Sequence, residues 1–330
     1  MVRLLLFRAV SLTALLALLI WELLDGGFND PGFDRVQRFT IEDEFMKEQD
    51  SEVQGRRKRE LIDYCHTRDA ESMLPRGTKD LQVHPYMFRN IIVNDKHNLL
   101  YCYIPKVACS NWKRVLMVLN GDTTDPYTIN TADVHNRSLG YFRYLNEYSP
   151  TEIVHRLKNY YKFLFVRHPY ERLVSAYRNK FIDSYNYTLF KQLYGRRIIK
   201  HFRRNPDQRS LKTGEGVSFT EFVSYLLASD SEFSDRHWQQ YDLLCRPCLI
   251  YYDYVGKFEN LRSDADDLLR VLGVEDRVQF PHNMSSGYKT SSSHLAKQYF
   301  RELPLELKDR LRKLYKHDLN MFGYSAEDFE

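Results

Sequence analysis

The spacing of apolar positions changes repeatedly from about residue 86 onward, and each change predicts a strand, a turn or a helix. Leu99 to Ile104 (LLYCYI) is a compact β-prone run; Pro105 breaks it, and Trp112 to Leu119 (WKRVLMVL) continues at helical spacing. Lys162 to Val166 (KFLFV) reads as a second buried strand, and Pro169 suits the first turn of a helix carrying Leu173, Val174, Ala176 and Tyr177. Tyr251 to Phe258 (YYDYVGKF) is a third strand, leading into a helix from Ala265 to Leu272. Strands alternating with helices predict an α/β domain with a central parallel sheet flanked by helices. Ligands bind such sheets where strands end and helices begin, which directs attention to the loops at 105–111 and 167–169.

The N-terminus has a different character. Ala9 to Leu24 (AVSLTALLALLIWELL) is mostly apolar, preceded by Arg3 and Arg8 and followed by Asp25 and Asp30. Counting back to Leu4, with Arg8 snorkelling, the segment approaches the about 20 residues that span a bilayer. The positive charge predicts that the short end stays cytoplasmic. A cleaved signal peptide is the competing reading, but no small-x-small site follows the apolar run. The expected layout is a cytoplasmic tail at 1–8, a signal-anchor at 9–24, a lumenal stem at 25–85 and a catalytic domain at 86–330. Within the stem, Arg56-Arg57-Lys58-Arg59 reads as a solvated charge run or, alternatively, a processing site. Sequons at Asn136, Asn186 and Asn283 fit a glycosylated lumenal body. The five cysteines, Cys65, Cys102, Cys109, Cys245 and Cys248, leave one thiol unpaired within a single chain.

Composition changes the picture little. With 48 basic and 44 acidic residues, a net charge of +4 does not call for nucleic acid as a partner, and oligomeric state is not legible. The loops say more. Pro105-Lys106-Val107-Ala108-Cys109-Ser110-Asn111 precedes a helix whose first N–H groups have no intrahelical partners, so an anion belongs there. Lys106 adds a positive charge, and Ser110 and Asn111 add neutral donors. A nucleoside-triphosphate loop would need glycines and a lysine at its far end, so kinase chemistry is not expected. The second segment, Arg167-His168-Pro169-Tyr170-Glu171-Arg172-Leu173-Val174-Ser175, sets a guanidinium at a strand end and a hydroxyl eight residues on. Arginine suits a bidentate grip on phosphate; local pairing is the plain alternative.

These two segments carry a resemblance. PKVACSNWKR resembles the 5'-phosphosulfate loop, and RHPYERLVSAYRNK the 3'-phosphate segment, of the Golgi carbohydrate sulfotransferases of the HNK-1 and chondroitin/dermatan 4-O-sulfotransferase group. The similarity runs from about residue 86 to the end and includes HWQQYDLLCRPC and YDYVGKFENL. It implies a fold that binds 3'-phosphoadenosine 5'-phosphosulfate (PAPS) and transfers sulfate to a sugar hydroxyl, most similarly to the members acting on the 4-hydroxyl of N-acetylgalactosamine in chondroitin or dermatan. His168 departs from the family, which usually carries an acid there, so no role beyond the loop is expected of it.

The implied roles are Lys106 on the leaving phosphate oxygen and Arg167 with Ser175 on the 3'-phosphate. His135, between the two segments where related enzymes carry a histidine base, is the first candidate for that base, and His237 is the second. No metal is expected: Cys245-x-x-Cys248 lacks the second pair of a zinc site and fits a disulfide or a staple to Cys65. Arg196, Lys200, Arg203 and Arg204 share a helical face opposite Ile198, Ile199 and Phe202, a basic stripe suited to an anionic glycosaminoglycan. Two rival readings remain at this point. A Golgi glycosyltransferase would use Asp264-Ala265-Asp266 to hold a metal, but those acids stand at a helix start, where they fit structurally. A non-catalytic glycan binder would explain the basic stripe and leave the ordered pair of anion segments without a purpose.

Overall fold

The computed structural model describes residues 52–67, 85–182, 188–228, 235–282 and 292–329. The expected anchor, most of the expected stem, Asn186 and Asn283 lie outside them. Among the described residues, no helix is long and apolar enough to cross a membrane.

A five-stranded sheet, in the order β3-β1-β2-β4-β5, forms the centre. Its strands are β1 (Ile91–Asn94), β2 (Leu99–Cys102), β3 (Arg143–Tyr144), β4 (Tyr161–Val166) and β5 (Tyr254–Lys257). β2, β4 and β5 run parallel, as expected. The expectation of a wholly parallel sheet fails at the other side, where β1 pairs antiparallel with β2 and with β3. The cause is a tight hairpin: Asn94 Oδ1 accepts the His97 N–H at 2.9 Å, and Asn98 takes a left-handed φ of 54°. Asn and Asp tolerate such turns because a short polar side chain can satisfy the local backbone.

Helices cover the sheet. Those that matter here are α1 (52–67), α2 (Cys109–Asn120), α3 (Thr131–His135), α4 (Pro169–Tyr177), α5 (Arg196–Phe202), α6 (Tyr241–Cys245) and α7 (Leu261–Val271). Pro169 begins α4, as its fixed φ predicts. On one face of the sheet, Trp112 of α2 is fully buried against Phe163, Phe165 and Phe280, with ring centroids 4.8 to 5.2 Å apart. Gly256 of β5 lets the Phe165 ring lie flat on the strand, since a Cβ there would collide with it. A second, helical core gathers Tyr170, Leu173, Val174, Ile198, Ile199, Phe222 and Trp238.

α1 lies in the expected stem and is tied to the body. Arg57, read as part of a solvated charge run, is only 6% exposed; its Nη1 lies 2.5 Å from Asp264 Oδ2 of α7 and donates to the Val255 carbonyl at 3.0 Å. Gln54 Oε1 accepts the Val255 N–H at 3.2 Å. β5 is an edge strand, and these two side chains satisfy backbone groups that an open edge leaves unpaired. Asp264, in the first turn of α7, also accepts the Lys257 N–H at 2.7 Å, so it serves the fold, as the structural reading of the Asp264-Ala265-Asp266 triplet expected. Cys65 is bonded to Cys248, and Cys102 at the end of β2 to Cys245 of α6, leaving Cys109 as the buried free thiol. The staple to Cys65 was one of the two expectations; the link to Cys102 was not foreseen.

Removing Arg57 leaves Asp264 buried without its cation. Arg57→Ala is expected to lower unfolding stability by about 3 to 5 kcal/mol in chemical denaturation, and Arg57→Met with Asp264→Leu to recover most of it. A loss below about 1 kcal/mol would show that α1 only rests on the body.

Candidate active site

The two predicted loops meet at the C-terminal ends of β2 and β4. Lys106 and Ala108 take left-handed φ values of 71° and 51°. Neither is glycine, and a left-handed backbone at such residues is held by its surroundings. The surroundings here are two arginines of the second motif. Arg172 Nε donates to the Pro105 carbonyl at 3.1 Å, and Arg167 Nη1 donates to the Lys106 carbonyl at 3.2 Å. Turning carbonyls toward the arginines frees the opposite side of the turn for N–H groups, the geometry of an anion nest. Ala108 caps α2 with no side-chain bond, so the N–H groups of Cys109 and Ser110 stand at the positive end of a twelve-residue helix without intrahelical acceptors.

The arginines are correspondingly committed. Arg172 is 1% exposed and also donates to the carbonyls of Arg236 and Gln239, both at 2.8 Å. Arg167 is 4% exposed; Nε and Nη2 donate to Glu171, and the guanidinium lies 4.2 Å from the centroid of the Phe258 ring. The local-pairing alternative therefore describes Arg167 in this structure, as a brace between the motifs. Much of the remaining run is internal. Val107, Tyr170, Leu173 and Val174 are core residues, and Pro105 and Pro169 are buried. Asn111 donates to the Pro281 carbonyl and accepts from Arg114, so it faces protein. His168 accepts the Tyr170 N–H as the α4 cap and pairs through Nε2 with the Ser325 carbonyl. Ser175 is half-buried on α4.

Chemistry gathers around Lys106 and Ser110. His135, at the end of α3, lies with Nε2 2.8 Å from Ser110 Oγ. His237 Nδ1 is 2.5 Å from Asp235 Oδ1, and its ring meets Phe190 edge-on. Both candidate bases thus stand beside the loop. His135 still exposes part of its ring, yet the protein mass around it desolvates the charged form, and the fields of Lys113, His237 and Lys180 add to this, holding its pKa at about 3. Burial likewise holds His237 at about 4, against the pull of Asp235 and with further lowering from Lys180 and Lys106. Both imidazoles are neutral at physiological pH, with a lone pair free to accept a proton, and each is a weak base until a bound anion offsets the surrounding positive charge. Lys180 is buried, with Nζ 4.3 Å from the Phe190 ring centroid, and its pKa is lowered to about 8, chiefly by burial. Sequence reasoning gave no role to Lys113, Lys180, Asp235 or Arg236. Lys113 and Lys180 stand inside the quoted motifs, and the available signal was a lysine within an otherwise buried helical run.

The basic stripe is only partly realised. α5 ends at Phe202, and Arg203 leaves the helix with ψ 126° to pair with Glu221 at 2.7 Å and with the Gly216 carbonyl. Arg203 is therefore removed from the expected face by its own carboxylate partner. Arg196, Lys200 and Arg204 are exposed, and Ile198 and Ile199 are buried, as expected. Asn136 is exposed directly after His135, its Oδ1 accepting the Ser138 N–H. Cys245 and Cys248, both in disulfides, have no thiolate to offer a metal.

A helix N-terminus and a braced turn at the end of a parallel strand, set beside two neutral histidines and buried lysines, suit an enzyme that acts on an anionic group. The comparisons with known proteins identify which. The sulfotransferase family is matched over residues 89–325. Carbohydrate sulfotransferase 11 of Rattus norvegicus is 41% identical over 278 residues, covering 83% of this chain and 76% of that protein. Carbohydrate sulfotransferase 14 of Danio rerio is 39% identical over 278 residues (82% and 71%), and carbohydrate sulfotransferase 8 of Mus musculus is 39% identical over 280 (83% and 64%). No solved structure matches. The chain belongs to the sulfotransferase family, and its relatives are carbohydrate sulfotransferases. Membership implies PAPS as sulfate donor and a carbohydrate acceptor, and the braced turn with Lys106 and Lys180 fits an anionic phosphosulfate.

Unfolding returns both imidazoles to their ordinary value of 6.5, so from there down to about 4 for His237 and about 3 for His135 the unfolded chain binds more protons than the folded one. Their contribution to stability is complete above 6.5 and is lost as pH falls through that window. The melting temperature of a His135→Asn, His237→Asn double variant is expected to fall less between pH 7 and pH 5 than that of the parent. Parallel declines would refute the assigned environment.

Proposed function

We propose that this enzyme transfers a sulfuryl group from PAPS to the 4-hydroxyl of N-acetylgalactosamine in a chondroitin- or dermatan-type glycosaminoglycan, as a single-pass type II protein of the Golgi membrane with its catalytic domain in the lumen. The observation that carries the chemical part is the 2.8 Å contact between His135 and Ser110, which joins a neutral histidine to the turn that suits the donor. The acceptor class is supported by the resemblance of both motifs to the chondroitin and dermatan 4-O group. The exposed charges of Arg196, Lys200 and Arg204 support an anionic polymer. The location is supported by the apolar run at 9–24 with Arg3 and Arg8 before it.

PAPS supplies an activated sulfuryl group on a phosphate leaving group; the protein must hold it, neutralise the departing oxygen and take a proton from the sugar hydroxyl. The N–H groups of Cys109 and Ser110 hold the 5' end, and Ser175, two turns along α4, remains the candidate donor to the 3'-phosphate. Lys106 neutralises charge on the bridging oxygen as the sulfur–oxygen bond breaks, with Lys180 adding to the same field. His135 takes the hydroxyl proton. It is preferred over His237 because its ring reaches solvent, where an acceptor arrives, while His237 lies against Phe190 and Asp235. Asp235 holds the His237 tautomer, and the neutral His237 ring packs beside the turn without adding charge to it.

His135→Ala is expected to lower kcat by at least about 100-fold, the usual scale of a lost general base, with the KM for PAPS unchanged. Near-native turnover would remove His135 from the mechanism. Radiolabelled sulfate transferred to desulfated chondroitin and dermatan, followed by disaccharide analysis, should place label on the 4-position of N-acetylgalactosamine; label elsewhere overturns the acceptor assignment. Neutralising Arg196, Lys200 and Arg204 together should raise the acceptor KM and leave that for PAPS unaltered.

A further inference from the structure

A group of cations beside the transfer site is not used by the donor turn. Lys113 of α2 is only 3% exposed, and its Nζ lies 4.6 Å from the Tyr103 ring centroid and 5.4 Å from that of Phe142. Arg236 Nη1 donates to the Tyr103 hydroxyl at 2.7 Å. Arg137 sets its guanidinium 3.7 Å from the Tyr144 ring centroid, donates to the Arg89 carbonyl at 3.0 Å and lies within electrostatic reach of Tyr103. Among the described residues, none of these three cations forms an ion pair with a carboxylate. Burial, with the neighbouring Arg137 and Arg236 adding to it, pulls the Lys113 pKa to about 8. A buried cation crowded by two others is costly unless an anion joins it.

We propose that Lys113, Arg137 and Arg236, gathered around the Tyr103 phenol, form a carboxylate pocket that takes a uronate next to the acceptor sugar. The inference rests on the glycosaminoglycan reading above and adds to it which residues read the acceptor. Three features point to the acceptor as the source of the anion. Arg137 follows His135 by two residues and lines the same depression, together with Tyr141, Phe142 and Tyr144. Arg137 and Arg236 are exposed, so both are open to an anion arriving from solvent. A guanidinium over aromatic rings suits a planar carboxylate on a sugar whose apolar face needs a surface to rest on. Seated there, the uronate fixes the register of the chain and so which neighbouring hydroxyl meets His135. Arg137 and Arg236 act as specificity-determining residues, and Lys113 supplies charge from beneath.

The test compares desulfated chondroitin with the same polymer after reduction of its carboxylates to alcohols, using the full-length enzyme and its Arg137→Gln and Arg236→Gln variants. Both substitutions are at exposed positions, and calorimetric binding of 3'-phosphoadenosine 5'-phosphate checks that each variant is folded. Carboxyl reduction should lower the parent's acceptor kcat/KM by about 10- to 100-fold, the span of a lost charge-assisted hydrogen bond. Each variant should lose a comparable amount on intact chondroitin and little more on the reduced polymer, with the KM for PAPS unchanged. A parent that uses both polymers equally overturns the pocket alone. Variants that raise the KM for PAPS would give these cations to the donor and overturn it too. A parent that sulfates neither polymer overturns the acceptor reading, and the pocket with it.

Discussion

Two hydrogen bonds from buried arginines hold the backbone on which the site depends. Arg172 and Arg167 draw the carbonyls of Pro105 and Lys106 to themselves, and the turn answers by taking left-handed angles at Lys106 and Ala108. Without those acceptors turned away, carbonyl oxygens would compete with N–H groups for the space before α2, and an anion would meet like charge. The same Arg172 reaches the carbonyls of Arg236 and Gln239, so one side chain sets the donor turn and the segment that carries His237. Both motifs are thereby parts of a single structural unit.

Covalent and ionic ties keep that unit in place. The bond from Cys102 to Cys245 joins the end of β2, three residues before Pro105, to α6. Cys248 joins the following loop to α1, and α1 closes the β5 edge through Gln54 and Arg57. The cysteine pair spaced by two residues is a clasp with two arms, each reaching a different part of the chain. Rigidity of this kind matters because the site concentrates positive charge: Lys106, Lys113, Lys180 and Arg236 stand close to two imidazoles that burial keeps neutral. Such a concentration opposes folding and is offset when an anion binds.

Much of this was legible in the sequence. The parallel strands β2, β4 and β5 and the helices after them announced themselves through apolar runs and Pro169, and the anion turn through its position between strand and helix. His135 was singled out as the first candidate base by its place between the motifs and by the family resemblance. What escaped had physical causes. β3 is two residues long and carries no periodic signal, and β1 depends on an asparagine turn to which the sequence reading assigned nothing. Arg57 looked solvated because its neighbours are charged, while burial of one residue in such a run is decided by a distant partner, Asp264. Arg203 was misassigned because the helix ends one residue early, where Glu221 claims it. Arg167 was expected to face phosphate, and its commitment to Glu171 and the Lys106 carbonyl follows from packing that no local pattern encodes.

The central claim is that the turn from Lys106 and the helix beyond Arg167 enclose a single donor. A crystal structure of the full catalytic domain with 3'-phosphoadenosine 5'-phosphate tests it most directly. The 5'-phosphate should lie within hydrogen-bond distance of the Cys109 and Ser110 N–H groups and of Lys106, with the 3'-phosphate on the α4 side near Ser175. A nucleotide bound elsewhere, or one whose phosphates leave the turn empty, would contradict the account.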